Sequence, residues 1–193
     1  MEKIILKRFK ESSEVKTRFL KENLSKLLDV IKLVSHTFEG GNKLFFFGNG
    51  GSAADAQHMA AEFVNRYIMN RPPLPAIALT TDTSILTSVS NDFAFSEIFA
   101  KQLRALGKER DVAIGITTTG NSPNIIKAFE VAKEMGMKTV ALTGNDGGAI
   151  GKMVDFPLVV PSTSTPRIQE THILIGHILC EMVEQSLFFK INP

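Results

Sequence analysis

Apolar residues return at helical spacing from Val15 to Phe38, at Val15, Phe19, Leu20, Leu24, Leu27, Leu28, Ile31, Val34 and Phe38. The run closes at Gly40 and Gly41, and the pattern predicts a long amphipathic helix. Ile4, Ile5, Leu6 and Phe9 extend that helix or start an earlier one, so residues 1–40 form an N-terminal helical arm suited to oligomerisation. After the double glycine the pattern changes to short apolar runs: Leu44–Phe47, Ala76–Leu79, Val112–Ile116, Thr139–Leu142 and Phe156–Val160. Between them the spacing predicts helices over Ser52–Tyr67, Ser96–Leu106 and Pro123–Met135, with a terminal one over Arg167–Phe188. Strands apolar throughout and separated by helix-length crossovers predict an α/β fold, a five-stranded parallel sheet covered on both faces. No repeat or linker interrupts residues 1–193, which read as a single domain.

Composition narrows the class. A chain of 193 residues with 44% hydrophobic and 22% charged positions supports one sizeable core and excludes general disorder. The formal charge of +2 is too small for a surface that coats nucleic acid or an acidic membrane. The lone Cys180 excludes an intrachain disulfide and a thiolate metal cage, which suits a reducing cytoplasm. The first residues mix charge with apolar positions and form no secretory signal, and nowhere is an apolar run long enough to span a bilayer.

In an open parallel sheet the ligand site lies beyond the carboxyl ends of the strands. Two loops stand out there. Gly48-Asn49-Gly50-Gly51-Ser52 follows the first strand and opens a helix, where glycines allow close approach and helix N–H groups receive an anion. It also reads as a plain tight turn, and as a dinucleotide fingerprint it lacks the acidic partner at the usual spacing. Thr117-Thr118-Thr119-Gly120-Asn121-Ser122 follows the third strand, with Pro123 placed for a first helical turn. Two such loops in one sheet point to a phosphorylated small molecule. On the helix after Ser52, His58 and Glu62 share one face and could supply a base or metal ligands, or stand as solvated surface residues. His177, on an apolar helix, reads as a hydrogen-bonded core residue or a catalyst; His172, about 140° around that helix, does not share its face.

Taken together, GNGGSAADAQHMAAE (Gly48–Glu62), SNDFAF (Ser90–Phe95), TTTGNS (Thr117–Ser122), LTGNDGG (Leu142–Gly148) and RIQETHILIGHILCE (Arg167–Glu181) resemble the SIS-domain phosphoheptose isomerases over nearly the whole chain. The resemblance implies a flavodoxin-like three-layer sandwich that converts sedoheptulose 7-phosphate to D-glycero-D-manno-heptose 7-phosphate, the first step toward nucleotide-activated heptose for lipopolysaccharide core and related glycans. It places Asn49, Gly50, Gly51, Ser52, Asn91, Asp92, Thr117, Thr118, Thr119, Ser122 and Gln169 around the substrate, with Glu62 also in contact. Glu62 resembles the family's proton-abstracting base and His177 its acid partner; members with zinc, one per subunit, hold it at the positions of His58, Glu62, Gln169 and His177. Pro166 stands where some members carry Asp. A homotetramer is implied as well. Gln169 and His177 are about 12 Å apart on a straight helix, so the expected sites draw on more than one chain. One non-catalytic branch serves as an adaptor for the replication initiator and lacks the histidine at this position, so His177 favours the enzyme.

Overall fold

The computed structural model describes residues 1–189. Helix α1 (Glu2–Glu39) runs unbroken, so the apolar positions ahead of Val15 extend it. Its buried stripe starts at Phe19 and returns at Leu27, Val30, Ile31, Val34 and Phe38, while Ile4, Ile5, Leu6 and Phe9 stand exposed on its first turns.

Five strands follow: β1 (Leu44–Gly48), β2 (Ala76–Ala78), β3 (Val112–Ile116), β4 (Lys138–Gly144) and β5 (Phe156–Val160). They pair in parallel in the order β2-β1-β3-β4-β5. The crossovers are α2 (Gly51–Val64), α3 (Thr83–Asp92), a 3-10 turn (Phe95–Glu97) leading into α4 (Ile98–Leu106), α5 (Pro123–Glu134) and α6 (Gly148–Met153). Helix α7 (Thr165–Phe188) ends the described chain.

Because successive strand residues face opposite sides, Leu44 and Phe46 join one core with α1, α2 and α7, and Phe45 and Phe47 join another with α4 and α5. That is the expected three-layer α/β sandwich. Helices α3 and α6 are additions to the expected set: each buries a single residue, Val89 and Ile150, and leaves no long periodic run to read. The helix expected to reach Tyr67 stops at Val64, and the one expected from Ser96 begins with the 3-10 turn. Among the described residues no helix is long and apolar enough to cross a membrane.

The strand order reverses between β1 and β3, whose crossovers α2 and α5 lie on opposite faces. A crevice opens at such a switch point, and both polar loops named above border it.

Candidate active site

The cradle at this crevice is made chiefly of backbone. Gly48 pairs with Ile116 at the carboxyl ends of β1 and β3, which sets the two loops side by side. Asn49 and Asn124 tie them with reciprocal amide bonds of 2.9 and 2.8 Å, and Asn124 is buried in the first turn of α5. Gly50 is left-handed at φ 55°, and a Cβ on Gly48 would come within 2.6 Å of the Ser52 carbonyl oxygen. The turn therefore closes tightly enough to present the amino end of α2. A Cβ on Gly51 would meet Gln169 Nε2 at 2.5 Å, so the Gln169 side chain lies directly over this loop.

In the second loop the hydroxyls of Thr117 and Ser122 sit 3.2 Å apart, and Thr117 Oγ1 accepts from the Gly120 N–H at 3.3 Å. Thr118 is half-buried and Thr119 exposed. The loop is braced from behind by residues 144–150. Asn145 Nδ2 donates to the Thr118 carbonyl (3.0 Å), Ile150 N–H to the Gly120 carbonyl (3.0 Å), and Ala149 N–H to Asn121 Oδ1 (3.0 Å). Gly120 packs so closely on the Gly147 carbonyl that no side chain fits. The LTGNDGG segment thus shapes the cradle from outside.

Farther along α2, packing joins what lies far apart in sequence. Helices α2 and α7 run side by side in the same direction, so Gly51 meets Gln169, Met59 meets Gly176, and His58 meets His177. The two histidine Nε2 atoms are 3.1 Å apart, and His58 Nε2 is also 3.3 Å from Glu62 Oε1. His58, Glu62 and His177 therefore form one cluster within a single chain. The Tyr67 ring stacks on His177 at 5.5 Å between centroids. Burial raises the Tyr67 hydroxyl pKa, helped by neighbouring acids, Glu181 foremost. Asp55, one turn before His58, keeps a buried Oδ2 without a hydrogen-bond partner among the described residues; burial raises its pKa against the opposing charges of His58 and His177.

Asn91 and Asp92 end α3, both exposed; a 2.8 Å bond joins them, and no hydrogen bond among the described residues links either to the other site residues. His172 is fully buried with Nε2 3.0 Å from the Thr143 carbonyl and takes no part in the site. Cys180 is buried, and burial pushes its thiol pKa far up, away from a reactive thiolate.

The donor types of His58, Glu62 and His177, imidazole nitrogen and carboxylate oxygen, are ones zinc accepts. The four implied ligands are nevertheless not gathered in one chain. Gln169 stands against Gly51, about 12 Å of helix from His177, and no group of three or more His, Cys, Asp or Glu among the described residues is placed to hold an ion.

Sequence reasoning missed Tyr67, Asp55 and Asn124. Only the position of Asn124 two residues after Ser122, in the turn that opens α5, offered a local cue.

The SIS domain family matches residues 8–144. A phosphoheptose isomerase from Thermodesulfovibrio yellowstonii is 53% identical over 95% of this chain and 92% of its own, and one from Aquifex aeolicus 51% identical over 95% and 96%. The solved structure of a phosphoheptose isomerase from Neisseria gonorrhoeae superposes with a TM-score of 0.90 at 42% identity, covering 95% of this chain and 98% of that one. With the sheet order, the two loops and the α2–α7 pairing all in place, the chain belongs to the SIS-domain family, in its phosphoheptose isomerase branch.

Proposed function

We propose that the chain is an aldose-ketose isomerase acting on sedoheptulose 7-phosphate to give D-glycero-D-manno-heptose 7-phosphate. The observation that carries this reading is the meeting of Glu62 and His177 at His58, along the same helix that opens the anion cradle. From Ser52 to Glu62 is ten residues, about 15 Å of helix, and the Glu62 side chain leans back toward the amino end. A long open-chain sugar phosphate spans that distance, its phosphate held by the N–H groups of Gly50 and Gly51 and the hydroxyls of Ser52, Thr117, Thr118, Thr119 and Ser122. Asn49 and Gln169 border the same end.

In the open ketose, Glu62 takes a proton from C1, next to the C2 carbonyl, and an enediolate forms. The same carboxyl returns the proton to C2. His177 moves a second proton from the C1 hydroxyl to the C2 oxygen, so the aldose forms with protons and electrons balanced and no co-reactant. One zinc per subunit belongs to the proposal. His58, Glu62 and His177 offer donor types zinc accepts, with Gln169 as the remaining family position, although a single described chain does not set them around an ion. A metal-bound group is not a free base, so Glu62 and His177 would have to loosen from the ion to carry protons, and the ion would act by polarising a substrate oxygen.

The proposed assembly is a cytoplasmic homotetramer in which Asn91 and Asp92 complete a neighbour's site. The exposed Leu20, Leu24 and Leu28 of α1, beside the bare apolar first turns, support self-association. Incubation of the pure protein with sedoheptulose 7-phosphate, followed by NMR, should show the aldose accumulating to equilibrium. Unchanged ketose would overturn the assignment, and a monomer by light scattering would overturn the assembly.

A further inference from the structure

Arg71 lies in the proline-rich loop between α2 and β2, its side chain 1% exposed against an equally buried Glu184 of α7. Its Nε donates to Glu184 Oε1 at 2.9 Å. Nη1 donates to the carbonyls of Phe63 (2.6 Å) and Pro72 (3.1 Å), and Nη2 to that of Glu62 (2.8 Å). The carbonyls of the last turn of a helix have no partner of their own, so Arg71 closes the end of α2 at Glu62 itself. Glu184 in turn accepts the backbone N–H groups of Tyr67 (2.8 Å), Ile68 and Met69 (3.0 Å each). Burial raises the Glu184 pKa, yet these donors and the Arg71 charge outweigh it and leave the carboxyl below its ordinary range. With the residues after α2 fixed this way, the Tyr67 ring stacks on His177 at an interplanar angle of 26°.

A buried ion pair is a weak source of stability; a firm geometry is what this one supplies. We propose that Arg71 and Glu184, acting through Tyr67, are positioning residues that hold the His177 imidazole against His58, whose Nε2 also meets Glu62, so that both proton-transfer groups address the same substrate carbons. This rests on the isomerase reading above.

Wild-type turnover of sedoheptulose 7-phosphate tests that reading first. Given turnover, Tyr67→Ala should lower kcat about 10- to 100-fold with KM little changed, and Tyr67→Phe, which keeps the ring, should restore it. Tyr67 is only half-buried, so both variants should melt near the wild type. The double variant Arg71→Met/Glu184→Leu leaves no lone buried charge. It should lose kcat as Tyr67→Ala does, and lose the ring-current shift that Tyr67 imposes on the His177 imidazole protons in NMR spectra. Full kcat in Tyr67→Ala, or in the folded double variant, overturns the proposal, as does a change in melting temperature alone. If the double variant does not fold, the Tyr67 pair decides. If the wild type does not turn over, the isomerase reading falls and the ring-current shift still judges the clamp.

Discussion

The two ends of α2 border the proposed site and are built by opposite means. At the amino end the groups assigned to the anion are backbone N–H donors and short hydroxyls, beside glycines at Gly48, Gly50 and Gly51 within one five-residue turn. At the carboxyl end the groups are side chains: His58 and Glu62 one turn apart on α2, 3.3 Å from each other, and His177 of α7, brought to 3.1 Å from His58 by helix packing. A cradle of backbone would tolerate the loss of one hydroxyl, because many donors would share the anion. A pair of proton-transfer groups does not tolerate the loss of either member. Changes at the carboxyl end should therefore act on kcat and changes at the amino end on KM.

The largest expected effect is that of Glu62→Gln. The amide keeps the shape of the carboxylate and cannot accept a proton, so kcat should fall about 10²- to 10⁴-fold with folding intact. Near-normal turnover would remove Glu62 as the base and break the contrast at once.

His172 tests whether α7, which touches both ends, is anchored as drawn. Burial holds its imidazole pKa down at about 4 from 6.5, against the opposing hydrogen bond to the Thr143 carbonyl, and Nδ1 is buried without a partner among the described residues. The unfolded chain therefore binds a proton that the folded one refuses between these two values. Stability should be level above pH 6.5 and fall by about 3 kcal/mol as pH drops toward 4. Urea midpoints measured across that window should show the slope in the wild type and a flatter one in His172→Gln. Equal slopes would place the anchor elsewhere.

The difference between the ends also sets what could be read from the sequence. The cradle is local: a buried strand, glycines and hydroxyls in one short stretch announce it, and the five apolar runs announce the sheet. The His58–His177 contact joins residues 119 positions apart, and before folding His58 read as a solvated surface residue as readily as a base or ligand, and His177 as a core residue or a catalyst. Arg71 beside prolines and Glu184 near a helix end carry no local sign of burial or pairing, yet both side chains are 1% exposed. The bracing of Thr118 by Asn145 likewise depends on β3 and β4 being neighbours, which no local spacing encodes.

A smaller effect sharpens the amino end. In Gly51→Ala the new Cβ meets only the tip of the flexible Gln169 side chain, so the chain should fold with stability equal to or slightly above the wild type. Displacing Gln169 over the loop should raise KM about tenfold, or about 1.4 kcal/mol, and leave kcat close to normal. A collapse of kcat instead would show that the two ends are not separable.

The smallest effect belongs to Ser122→Ala. Ser122 occupies the N-cap position of α5, where a serine ordinarily bonds an N–H of the first turn and its loss costs about 1 kcal/mol of stability. Here the hydroxyl makes no cap bond and lies 3.2 Å from Thr117 Oγ1, toward the cradle, whereas Asp82 at the start of α3 does cap, accepting from the Ile85 N–H at 2.9 Å. Removing the Ser122 hydroxyl should therefore leave the melting temperature nearly unchanged. It should cost one hydrogen bond to the substrate's phosphate, raising KM roughly three- to tenfold, about 0.5–1.5 kcal/mol, with kcat kept. Asp82→Ala gives the opposite signature, a lower melting temperature with KM intact. If Ser122→Ala instead melts early and binds substrate normally, its hydroxyl is a structural cap and the amino end of α2 holds the anion without it.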